Sequence, residues 1–158
     1  MTFWWNKLKR TFRYWYLRII RLKSSPESIA LGLAVGVLVG FWPIIPFQTV
    51  VAIAFAFVVR GNKIAAALGT WVSNPLNVPF LYYLFYQIGK LFWPVQAQLD
   101  RSHLDMHSLI QSGWDIFVAM CLGGTILGVP AAILTYFVFL WLLKKRQLRK
   151  LEKRYKRS

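Results

Sequence analysis

The chain has 158 residues, 57% of them hydrophobic, and a formal net charge of +15. That length is one domain, and the apolar content is too high for an ordinary soluble domain of that size. The charge sits at the ends: residues 1–23 contribute +7 and residues 144–158 contribute +8, while four cations and four acids balance between them. A nucleic-acid binder spreads its basic residues over a soluble folded domain, so no nucleic-acid partner is expected. Basic ends around an apolar middle suit a membrane protein with both termini on the cytoplasmic face. The one cysteine, Cys121, excludes an intrachain disulfide.

In chain order, residues 1–23 read as a basic amphipathic helix. Trp4, Leu8, Phe12, Trp15, Ile19 and Leu22 fall on one stripe, with most cations opposite. Such a helix lies in the membrane interface, where anionic lipids attract its cations. The leader is too long and too charged to read as a cleaved signal peptide.

Ser25, Pro26 and Glu27 open the next helix as cap, first-position proline and first-turn acid. Its apolar run, 29–42, is broken by Pro43 and Pro46. A second run covers 47–59 and ends in the polar turn 60–63. A third, 64–72, stops at Ser73, Asn74 and Pro75; after Pro79 a fourth covers 80–93. Residues 94–113 form a polar loop, residues 114–143 the longest apolar run, and residues 144–158 a basic cytoplasmic tail. Crossing a 30 Å hydrocarbon core takes about 20 helical residues. The thirteen residues of 47–59 and the fourteen of 80–93 are therefore half-helices, and 114–143 is long enough alone.

The expected fold is an all-α integral membrane protein: Pro-broken or re-entrant helices plus at least one full transmembrane helix, with a membrane domain at 24–143 broken at 43–46 and 74–79. Basic flanks allow two topologies. In one, 26–59 form a re-entrant hairpin, 64–93 cross as one broken helix and 114–143 return. In the other, both Pro-containing segments are hairpins and the last run bends at Gly128 to Pro130. The two breaks, each with two prolines followed by phenylalanine, also form a weak internal echo.

Non-helical backbone at membrane depth must face protein or a wet cavity. Two readings of the breaks follow. In one, Ser73, Asn74 and Asn77 only cap helix ends. In the other, the breaks meet, and Gln48, Thr49, Ser73, Asn74 and Asn77 line a polar substrate site beside Pro43, Pro46, Pro75 and Pro79, as in broken-helix transporters. Gly32, Gly36 and Gly40, and again Gly124 and Gly128, repeat every four residues and mark helix-packing faces, against this chain or a second copy in a homo-oligomer.

Asp100, His103 and His107 share a helical face, but a solvated loop accounts for them better than zinc does. No metal site or cofactor is expected. No nucleophile–base pair, intramembrane carboxylate pair or phosphate loop is present, so no enzyme is expected either.

The elements "SPESIALGLAVGVLVGFWP" (25–43), "PFQT" (46–49) and "GTWVSNPL" (69–76) resemble an uncharacterised bacterial membrane family, domain of unknown function 2062. The resemblance covers residues 24–143. It implies a bacterial inner-membrane protein and assigns no activity or cofactor. Two functions therefore stand: a small transporter-like or lipid-handling protein with a polar site at the breaks, or a non-catalytic scaffold holding a partner or anionic lipid at its basic ends.

Overall fold

The computed structural model describes residues 24–74, 76–93, 95 and 106–155. Regular structure among them is helical throughout: α1 (Pro26–Gly40), α2 (Gln48–Val58), α3 (Lys63–Gly69), a 3-10 turn (Thr70–Val72), α4 (Val78–Gly89) and α5 (Met106–Tyr155). The interfacial helix expected at 1–23, Pro75, most of the loop from 94 on, and with it Asp100 and His103, lie outside the described residues.

Local chemistry sets the helix ends. The Ser25 hydroxyl accepts from the Ser28 N–H at 3.2 Å, and Pro26 occupies the first helical position of α1. α2 ends with Arg60 at φ 58°, a left-handed conformation that glycine favours, and the Gly61 N–H donates back to Ala56 at 2.8 Å. Asn62 then caps α3, its Oδ1 accepting from the Ala65 N–H at 2.8 Å, while its own N–H donates to the Ser28 carbonyl. The turn at 60–62 is thereby tied to the first turn of α1.

α1 is the central helix, packed against α2, α3 and α5. Its glycines set its register with α3: Gly32 faces Asn62, Gly36 faces Ala66 and Gly69, and Gly40 faces Thr70 and Val72. Each step of four residues in α1 matches a step of four in α3, so the two helices run parallel and end at the same level. A methyl group on Gly36 would stand 2.8 Å from the Gly69 Cα, closer than real carbons approach.

α4 and α5 run antiparallel: Trp93 meets Asp115, Gly89 meets Ala119, and Phe85 meets Gly123. α5 is also antiparallel to α1, since Gly124 and Gly128 contact Phe41 and Lys144 pairs with Glu27 at 3.0 Å. It follows that α1, α3 and α4 share one direction and that α2 and α5 run back. The chain path is a hairpin (α1–α2), a broken run in one direction (α3–α4) and a return (α5). The proline echo is not a structural repeat, because the chain reverses at the first break and continues at the second.

α5 departs from its expected bounds at both ends. It starts at Met106, inside the expected loop 94–113, and carries the tail as helix to Tyr155. Hydropathy falls after Leu143, but Lys, Arg, Gln, Leu and Glu are good helix formers and nothing breaks the run. Pro130 is accommodated within the continuous helix. The part Gly113–Arg149 is long and apolar enough to cross a membrane.

The packing is inverted relative to a soluble core. Among the described residues, eight of the fourteen buried hydrophobic side chains are alanine, while twenty-eight large apolar side chains are exposed. Small residues fill the helix contacts and the bulky ones face outward.

Candidate functional site at the two helix breaks

The second break accounts for every backbone donor from Ser73 to Val78. The Ser73 N–H donates to Thr70 at 3.2 Å; the Asn77 and Val78 N–H groups both donate to the Asn74 carbonyl, at 3.0 and 3.1 Å. Side chains take the rest: Asn77 Oδ1 accepts from the Asn74 N–H at 2.8 Å, and Asn74 Oδ1 accepts from the Leu76 N–H at 3.1 Å. Pro75 and Pro79 carry no N–H. Asn77 Nδ2 also donates to the Val72 carbonyl at 2.7 Å. The sequence S-N-P-L-N-V-P thus ends one helix and starts another with no backbone donor left over.

The two breaks touch. The buried Ser73 hydroxyl donates to the Gly40 carbonyl at the end of α1. The hydroxyls of Thr49 and Thr70 lie 3.3 Å apart; because Thr70 Oγ1 donates to the Ala67 carbonyl at 2.8 Å, Thr49 is the donor between them. The Trp42 indole N–H reaches across to Thr125 on α5 at 3.1 Å. The Ile45–Pro46 peptide bond, in the first break, is cis.

One buried polar group at the first break is unspent. Gln48, on the first turn of α2, is 9% exposed, and its Oε1 has no hydrogen-bond partner among the described residues. The Tyr82 hydroxyl on α4 is also buried without a well-formed bond and lies beside the Ile45 backbone. A ring contact from Phe41 to Phe85 (5.4 Å) holds α4 against the first break, and Phe85 in turn lies 6.1 Å from Tyr82 on its own helix.

Distances along the bundle follow from the helices. Phe41 sits at Gly124, and fourteen residues of α1, about 21 Å of helix, separate it from Glu27, which pairs with Lys144 at the α1 end of the bundle. From Gly124 to Asp115, which accepts from Trp93 at 3.4 Å, is about 14 Å. Among the described residues, the charged groups lie at these two ends. At the α1 end, the backbone amide of Glu27 and then Lys144 hold the Glu27 carboxyl below its ordinary pKa. At the other end, Lys90 lies over the Tyr86 ring at 5.8 Å. The seam between holds only neutral hydroxyls and amides, which can bind a polar group but supply neither acid nor base.

Residues 9–152 match the sequence model of a family described as an uncharacterized protein conserved in bacteria (DUF2062). The chain belongs to that family. No curated protein and no solved structure matches. The DUF2062 match spans α1 to α4 with both breaks, and α5 through residue 152.

In this DUF2062 chain the five expected binding residues separate into two groups. Thr49 and Ser73 join the two breaks, and Gln48, next to Thr49 in sequence, is buried with its Oε1 unpaired among the described residues. Asn74 and Asn77 turn onto their own backbone. Pro46 and Pro79 are exposed, Pro43 is half-buried, and Pro75 lies outside the described residues. Sequence reasoning missed Tyr82 because an aromatic in an apolar run reads as packing; its hydroxyl gains meaning only from the fold that brings it to Ile45. It also missed Thr70, whose hydroxyl orients Thr49.

Proposed function

We propose that this chain is an integral protein of the bacterial cytoplasmic membrane, with a small polar binding site at its helix breaks for a neutral polar solute or a lipid head group. The membrane reading is supported by the outward-facing bulky apolar side chains and by the length of α5. The end of the bundle holding Glu27, Arg60, Lys63 and Lys144 carries most of the cations and is cytoplasmic by the positive-inside rule. α1 and α2, about 22 and 17 Å long, are too short to cross and form a re-entrant hairpin; α3 with α4, and α5, cross.

The observation that carries the site is Gln48. A buried amide oxygen without a donor costs about 1–3 kcal/mol, and a ligand donor would recover it. Replacing Gln48 with leucine removes that unpaired oxygen, so the fold should keep its stability and lose its ligand. The test is a thermal-shift screen of polar solutes and lipid head groups on the purified chain. A compound that raises the melting temperature of wild type but not of Q48L supports the site; equal shifts in both place binding elsewhere.

A second reading, a non-transporting membrane scaffold, is favoured by how completely Ser73, Asn74, Asn77 and Thr49 are used in closing the breaks. Under it, Q48L is silent, and removal of residues 147–158 abolishes partner recruitment.

A further inference from the structure

The outer face of α5 carries an open trough of about 400 Å³ lined by Phe137, Leu140, Trp141, Lys144, Lys145 and Leu148. Its composition changes along the helix: Phe137, Leu140 and Trp141 are apolar, one turn later come two lysines, and Leu148 follows at its end. The change falls at the level of Glu27, where α1 begins and the bundle meets its cationic end. Lys144 is held there by Glu27 at 3.0 Å, and Lys145 Nζ lies 4.5 Å over the Trp141 ring. Four cations stand between 144 and 149, and the first acid after them is Glu152.

We propose that this trough binds an anionic phospholipid of the cytoplasmic leaflet. An acyl chain lies along Phe137, Leu140 and Trp141, and the phosphate sits against Lys145 with Lys144 beside it. Charge complementarity selects the occupant. A second copy of this chain would bring the same lysines face to face, and a zwitterionic lipid, with no net charge, would leave the Lys145 ammonium uncompensated. The trough's apolar-to-cationic order runs along the bundle axis as a phospholipid's own parts do. Trp141 supplies an amphipathic ring at the head-group level. The proposal rests on the membrane reading above and is independent of the site at Gln48.

The experiment is native mass spectrometry of the detergent-purified full chain titrated with phosphatidylglycerol or phosphatidylcholine, beside carbonate extraction of the membranes it came from. Wild type should retain phosphatidylglycerol in preference. Lys145→Gln should weaken that retention about fivefold, the effect of about one surface cation, and Lys63→Gln, at the same end of the bundle but off the trough, should leave it unchanged. Equal retention of the two lipids by a carbonate-resistant chain overturns the trough alone, as does an equal loss in both variants. Release of the chain by carbonate overturns the membrane reading and the trough together.

Discussion

The Ser73 hydroxyl donates to the Gly40 carbonyl across 33 residues of sequence and joins the two helix breaks. In a continuing helix the Gly40 carbonyl would accept from the Ile44 N–H, but that group turns back to Trp42 at 2.9 Å. Ser73 supplies the missing donor. Ser73→Ala should therefore destabilise the fold by about 1–3 kcal/mol, the cost of an orphaned buried acceptor. Denaturation of the detergent-solubilised variant would measure it, and an unchanged midpoint would show that water reaches Gly40.

Asn77 closes the second break with both ends of its amide, one accepting from Asn74 and one donating to Val72. Asn77→Ala breaks two bonds at once and should cost about 2 kcal/mol or more. Chemical denaturation gives the loss directly. The N–H of residue 74 should also become measurably faster to exchange with solvent.

The α1–α3 contact depends on missing side chains. Gly36→Ala places a methyl group against Gly69 and the Ala66 carbonyl and should cost about 1–3 kcal/mol through forced separation of the helices. Gly113 is the internal control: a methyl group there meets nothing within 4 Å, and alanine should gain up to about 1 kcal/mol from helix propensity. Comparing the melting temperatures of the two variants checks the pair.

Glu27 links folding to pH. Its carboxyl is held below its ordinary pKa, so the folded state favours the charged form. The contribution is present above the unfolded-state pKa and is lost as pH falls through the folded one. Wild type should exceed Glu27→Gln in melting temperature at neutral pH, and the two should converge as the solution becomes acid. A gap that persists in acid would point to a role other than charge.

The parts of this fold that depend on one residue's chemistry were readable in the sequence. The paired prolines at 43–46 and 75–79 announce the two breaks, and run length alone marks 47–59 and 80–93 as short helices. The spacing of Gly32, Gly36 and Gly40 announces a close approach, but its partner, α3, emerges only from the fold. Pairings over long separations, such as Ser73 with Gly40 or Tyr82 with Ile45, leave no local pattern. Asn74 and Asn77 show why polar residues at a break are ambiguous: the groups that would bind a solute are the groups that cap a helix, and only geometry says which they do. The length of α5 was missed for another reason, because hydropathy reports where a helix leaves an apolar environment and not where its hydrogen-bond ladder ends.

The central claim is that α3 and α4 carry the chain across a bilayer as one broken crossing. Sided labelling of single cysteines at Gly113, Lys63 and Arg149, in a Cys121→Ser background in sealed vesicles, tests it most directly. Gly113→Cys should react only with reagent added on the periplasmic side, and Lys63→Cys and Arg149→Cys only with reagent on the cytoplasmic side. Reaction of all three from one face would contradict the crossing.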